Sequence, residues 1–165
     1  SHTDQLPRGE GVKKLFVLLS FAVFSFSYAQ DGIEIVDDQG NTVTVRHALG
    51  ETTIPKQPAR VLIADVLTLG AYASLGEVPF AAYGFPLEDK VGEFGLLVTP
   101  LLEGETEHLG GCVAYGGAFP LERMLALEPD LILVADLYAE QNNNYELLSE
   151  IAPTVALPFD GSERL

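Results

Sequence analysis

The sequence predicts an α/β domain built on a doubly wound, mostly parallel sheet with an antiparallel hairpin attached at its amino-terminal side. Three observations carry this reading. The run Leu131-Ile132-Leu133-Val134 holds no polar residue, as a parallel strand covered on both faces requires. It follows a short helical pattern, with Leu121, Met124, Leu125 and Leu127 as an apolar stripe, Pro120 at the first turn and Pro129 as the stop. Finally, short apolar runs alternate with helical patterns along most of the chain, the signature of β-α-β units.

Taken in order, residues 33–36 and 42–45 flank Asp37-Asp38-Gln39-Gly40-Asn41 and predict the hairpin. Residues 52–54 add a short third piece before Pro55 and Pro58. Val61-Leu62-Ile63-Ala64 is a buried strand ending at Asp65, followed by a helix over 67–75 with Leu67, Ala71 and Leu75 inward and Gly76 as its left-handed cap. Residues 80–83 form the next strand. Residues 84–95 read as a surface loop, 96–102 as a helical turn, and Glu103, Glu105 and Glu107 as a solvated acidic stretch turned by Leu109-Gly110-Gly111. Beyond Asp136, residues 140–151 predict a weaker helix with Leu147, Leu148 and Ile151 inward, because Asn142, Asn143 and Asn144 lower its propensity. Residues 154–157 are a last strand, and Ser162 reads as the N-cap of a following helix.

Composition bounds the function. The 165 residues are 47% hydrophobic and 20% charged, a globular balance with room for one core. A net charge of −15 argues against nucleic acid and gives a self-repelling surface, or one that attracts a cationic ligand or a basic partner. Residues 1–11 read as a leader outside the fold. Residues 12–29 read as a secretory signal: Lys13-Lys14, an apolar stretch over 15–26, then Ser27-Tyr28-Ala29 before the cut. Residues 30–165 are then the folded domain. No cysteine stands at the cut, so a lipid anchor is not expected; Cys112 is the single cysteine, which rules out an intrachain disulfide and predicts a buried thiol.

Chemistry converges on strand ends. Asp65, Tyr83 with Gly84, and Asp136-Leu137-Tyr138 each follow a predicted strand, and Tyr115-Gly116-Gly117 enters from the loop before the key helix. An open α/β sheet binds ligands outside those carboxyl ends. Tyrosine faces and backbone amides there suit an organic ligand or a complex cation, whereas Asp65 taken alone reads equally well as a helix cap. Catalytic signatures are missing: there is no GxGxxG after a strand, no Gly-x-Ser-x-Gly elbow and no Walker loop. His47 and His108 read as surface residues, and with distant carboxylates they make a poor protein-held metal site, so none is expected.

Several segments resemble periplasmic ABC-transporter binding proteins of the iron-siderophore family, whose ligands also include cobalamin and haem. They are Pro55-Lys56-Gln57-Pro58-Ala59-Arg60-Val61 leading to Asp65, Phe119-Pro120-Leu121-Glu122-Arg123 leading into Leu127-Glu128-Pro129-Asp130-Leu131-Ile132, and Ile151-Ala152-Pro153-Thr154-Val155. The resemblance implies two Rossmann-like lobes joined by one long helix, of which this chain is the amino-terminal lobe. It implies a non-enzymatic, monomeric periplasmic protein that carries a ferric siderophore to an inner-membrane permease, with no resident cofactor. It places Asp65, Tyr83, Tyr115, Asp136 and Tyr138 at the ligand by topology, and Glu122 on the permease. Cobalamin or haem on the same scaffold is the near alternative. An α/β enzyme fragment using Asp65 and Asp136 as acid and base, or a module that senses or sequesters its ligand, are the others.

Overall fold

The computed structural model describes residues 32–83, 106–110 and 118–159. The expected leader and signal (1–29), the loop and turn over 84–102, Cys112, Tyr115-Gly116-Gly117 and the Ser162 cap lie outside the described residues.

The amino-terminal hairpin is larger than expected. Strands β1 (Glu34–Asp38), β2 (Thr42–His47) and β3 (Gly50–Pro55) form a three-stranded antiparallel sheet in the order β1-β2-β3. Gly40, at φ 88°, makes the first turn, and Gln39 N–H donates to the Thr42 carbonyl at 2.9 Å. Arg46 ties the outer face together, bridging Glu34 at 3.1 Å and Glu51 at 3.0 Å. Val43, Val45 and Ile54 point the other way, into the core.

The second sheet is parallel. It comprises β4 (Val61–Ile63), β5 (Ala81–Ala82), β6 (Glu107–His108), β7 (Leu131–Ala135) and β8 (Thr154–Leu157), in the order β6-β5-β4-β7-β8. Between them lie α1 (Val66–Ser74), α2 (Leu121–Ala126), α3 (Asp136–Ala139) and α4 (Asn144–Ile151). Strand side chains alternate between the two faces. Val61, Ile63, Leu131, Leu133 and Val155 pack with α1 and the three-stranded sheet, while Leu62, Ile132, Val134 and Ala156 pack with α2, α3 and α4. All five residues of β7 are buried, the two-sided cover that its apolar run predicted.

Several expectations are corrected. Strand β6 arises inside the stretch read as solvated acid, where Glu107 N–H donates to the Phe80 carbonyl and Leu109 N–H to the Ala82 carbonyl, both at 2.9 Å. Helix α1 buries Thr68, Leu69, Tyr72 and Ala73; of Leu67, Ala71 and Leu75, Leu67 packs partly buried against the core while Ala71 is exposed. It is apolar nearly all round, so its own periodicity does not choose the face; Asp65 fixes its rotation by capping it. Gly76 does end it, at φ 77°. On α2, Met124 is buried but Leu125 is 58% exposed, because the helix is too short to bury a full stripe. Helix α4 starts at Asn144 since Asn142 and Asn143 take left-handed backbone, and its Leu147 is partly exposed.

Parts of two segments that carried the family resemblance, Ala59-Arg60 and residues 127–130, form a knot at the amino ends of the parallel strands. The Asp130 carboxylate accepts the N–H groups of Ala59 at 2.8 Å and Arg60 at 3.0 Å. Arg60 Nε in turn donates to the carbonyls of Leu127 and Glu128, both at 3.0 Å, Nη2 also reaches Leu127, and the guanidinium lies 4.0 Å from the Phe80 ring centroid. This fork satisfies carbonyls left open at the end of α2, where Glu128 turns left-handed at φ 49°. The knot sets the entry of β4 and β7, at the end of the sheet remote from its carboxyl edge.

Candidate functional site

The strand order reverses between β4 and β7, so the topological switch point lies at their carboxyl ends. The three described strand ends named from the sequence meet there. Ala64 N–H donates to the Leu133 carbonyl at 2.9 Å and Tyr83 N–H to the Ile63 carbonyl at 2.8 Å. Asp65, Tyr83 and Asp136 therefore follow three adjacent strands, β4, β5 and β7, and share one rim.

Their side chains divide by role. Asp65 is completely buried. One carboxylate oxygen accepts Thr68 N–H at 2.9 Å; the other accepts the Thr68 hydroxyl at 2.8 Å and Ala135 N–H at 2.7 Å. It caps α1 and clips β4 to β7 across the switch point. Burial pushes its carboxyl above the ordinary aspartate value, while those N–H and O–H donors pull the other way. An acid–base role for Asp65 would need these donors removed and water admitted.

Tyr83 is buried too. Its hydroxyl donates to the Ala118 carbonyl at 2.9 Å, and its ring meets Phe119 at 5.3 Å between centroids. It tethers the segment entering α2 to the rim. Tyr138 is 9% exposed and packs in the core beside Ala139 and Leu148, and its carbonyl accepts Asn144 Nδ2 at 3.0 Å. Asp65, Tyr83 and Tyr138 are buried at or just behind the rim. For Asp65 and Tyr83 the physical reason is shared: a polar group directly after a buried strand is first claimed by backbone N–H and C=O groups that would otherwise be unpaired.

Asp136 differs. It is half-buried, and its Oδ1 accepts Leu137 N–H at 2.7 Å and Phe159 N–H at 3.1 Å, which orients the carboxylate at the start of α3. Leu137 beside it is also half-buried. Glu122, in the first turn of α2, is exposed, and its neighbour Arg123 anchors that helix to the β6 end through the His108 carbonyl at 3.2 Å and the Leu109 carbonyl at 3.4 Å. Among the described residues no cluster of three His, Cys, Asp or Glu could hold a metal ion, and no helix is long and apolar enough to cross a membrane.

The reading of His47 as a surface residue is corrected: it is 6% exposed. The signal was available, because period-two alternation along β2 sets His47 in line with the buried Val43 and Val45. It lies at the seam between the two sheets, away from the rim, bonded to Thr52 and close to Tyr145.

Comparison with known proteins gives one consistent neighbourhood. The ferric-anguibactin-binding protein FatB of Vibrio anguillarum is 30% identical over 133 residues, which cover 77% of this chain and 35% of that protein. The iron(3+)-hydroxamate-binding protein FhuD of Bacillus subtilis is 30% identical over 125 residues, covering 75% of this chain and 35% of its own length. The crystal structure of Staphylococcus aureus SirA complexed with staphyloferrin B superposes with a TM-score of 0.55 at 30% identity, over 69% of this chain and 36% of SirA. The chain therefore spans about a third of the length of the relatives it matches. No family model matches.

Proposed function

We propose, from a chain that belongs by sequence and fold with the substrate-binding proteins of ferric-siderophore ABC importers, that it forms the amino-terminal lobe of such a protein. The rim at the β4–β7 switch point is then one wall of a two-walled cleft for a ferric siderophore. The supporting observation is the alignment of three strand ends at that one edge, braced by Asp65 and Tyr83. A rigid, pre-formed wall suits a ligand captured whole and released unchanged, since little ordering free energy is lost on binding. Among the described residues Asp136 is the ligand-facing one, and in this reading Tyr115 is a further ligand contact. The protein binds its complex without chemistry.

In the same reading residues 12–29 direct export and the protein works in the periplasm as a monomer. Glu122 docks on a basic surface of the inner-membrane permease. It stands exposed in the first turn of α2, where the helix dipole also favours an acid.

Titration of the full-length protein with ferric siderophores of the catecholate, hydroxamate and carboxylate classes, and with cobalamin and haem, tests the ligand class. Saturable binding of at least one ferric siderophore is expected. Binding of cobalamin or haem alone, or of nothing, would overturn the assignment. Glu122→Ala should leave that affinity unchanged and slow permease-dependent uptake; an equal loss in both assays would remove the docking role.

A further inference from the structure

The seam between the two sheets carries chemistry that the ligand wall does not use. Among the described strands β8 lies at the edge of the parallel sheet, and its outer edge is met by His47, the last residue of β2, and Ala48. Ala48 N–H donates to the Ala156 carbonyl at 3.3 Å, and Ala156 N–H donates to His47 Nδ1, also at 3.3 Å. An imidazole nitrogen thus stands where a neighbouring strand would offer a carbonyl.

The proton on the ring is located by its partners. Nδ1 accepts two backbone N–H groups, those of Ala156 and of Leu49 at 3.3 Å, so it carries none itself. Nε2–H then donates to Thr52 Oγ1 at 2.8 Å, and the Thr52 hydroxyl passes its own hydrogen to the Thr154 carbonyl at 2.9 Å. The Tyr145 hydroxyl sits 3.2 Å from Thr52 Oγ1 and 3.3 Å from Nε2, with its ring 5.6 Å from the imidazole. The two bonds accepted by Nδ1 hold only while that nitrogen is unprotonated, whereas the Nε2–H bond to Thr52 survives in either state.

We infer that His47 is a pH-sensitive clasp that holds the Ala156 amide of β8 against the three-stranded sheet when neutral and lets go of that amide when protonated. A proton on Nδ1 would point at two N–H donors and break both bonds. Among the described residues no carboxylate bonds the ring to compensate. On β2 and β3 the charged neighbours are Arg46 and Glu51, exposed and paired with each other at 3.0 Å. Helix α4 presents the Tyr145 hydroxyl, with Glu146 and Glu150 on its exposed side, and β8 has no titratable group. Burial alone holds the imidazole below the ordinary histidine value. An open groove of about 430 Å³, lined in part by Glu51, Thr52, Tyr145 and Ser149, brings solvent to the seam. The effect reaches further than the seam, because β8 leads to Phe159, whose N–H bonds Asp136 at the rim.

The test reads the clasp without any ligand, so it stands or falls separately from the siderophore reading. Nitrogen-15 NMR of the full-length protein should find His47 as the neutral Nε2–H tautomer, titrating below 6.5. Amide exchange at Ala156, corrected for intrinsic pH dependence, should rise by up to about tenfold per pH unit between the unfolded histidine value and the lower folded one, the slope for one proton taken up on opening. The Leu133 amide in the central strand should not follow it. His47→Asn, which offers a non-titrating acceptor in place of Nδ1, should flatten the Ala156 slope. An Nδ1–H tautomer, a pKa at or above 6.5, or Ala156 exchange that ignores pH or tracks Leu133 would overturn the clasp. Should the variant fail to fold, the tautomer and exchange of the unaltered protein still decide.

Discussion

Replacing Asp65 with alanine separates a brace from a ligand contact. The substitution leaves two buried N–H groups, those of Thr68 and Ala135, without their acceptor and removes the cap of α1. The orphaned Ala135 N–H costs about 1–3 kcal/mol, and the lost cap, which is the Thr68 N–H bond, about 1–2 kcal/mol. Against this, the carboxylate no longer suffers burial, which offsets part of the loss. The net expectation is roughly 3 kcal/mol, or about a 10 °C fall in Tm for a domain of this size. Urea unfolding of the full-length protein measures it, with Asp65→Asn losing less because one acceptor oxygen is kept. The pH dependence carries a sign of its own. With its folded pKa above 3.8, Asp65 contributes most at low pH, and that contribution declines as pH rises from 3.8 through the folded value. Asp65→Asn should abolish this decline. A stability loss under about 1 kcal/mol for Asp65→Ala, together with weakened ligand binding, would refute the brace and return Asp65 to the cleft.

Arg60→Lys keeps the charge but cannot fork over the Leu127 and Glu128 carbonyls, and should cost about 1–2 kcal/mol in denaturant unfolding while leaving ligand affinity intact; an unchanged midpoint would show that the knot is not a source of stability. Tyr138→Ala removes a ring from the core and should cost about 3 kcal/mol, with affinity per folded molecule preserved. Weaker binding by a variant of unaltered stability would put Tyr138 back in the ligand wall.

How much of this was legible in the residues depends on how many forces act on each segment. The run 131–134 admits one solution, because a stretch with no polar atom must be covered on both sides, and β7 is. Helix α1 admits several, since an almost uniformly apolar helix gives no preferred face; Asp65 and the three-stranded sheet choose it. Strand β6 is two residues of ordinary polar sequence, and only the open edge of β5 makes it a strand. At the rim, strand endings located Asp65, Tyr83 and Asp136 together. Pattern alone could not say which polar group would be taken by backbone partners and which left to face a ligand. Of the segments that carry the resemblance, Ala59-Arg60 and residues 127–130 brace the opposite end of the sheet, and residues 119–123 are tethered to the rim through Tyr83 and to the β6 end; these contacts build a scaffold and do not name a ligand.

Ferric iron is paramagnetic and broadens nearby amide resonances, so an amide spectrum of the full-length protein with a bound ferric siderophore, against its gallium counterpart, locates the ligand on this lobe. The amides of Ala64, Asp65, Asp136 and Leu137 should broaden, while those of Ala59, Asp130 and Thr154 at the far end of the sheet stay sharp. Broadening centred on Ala59 and Asp130, or spread evenly over both ends, would contradict a cleft at the carboxyl edge.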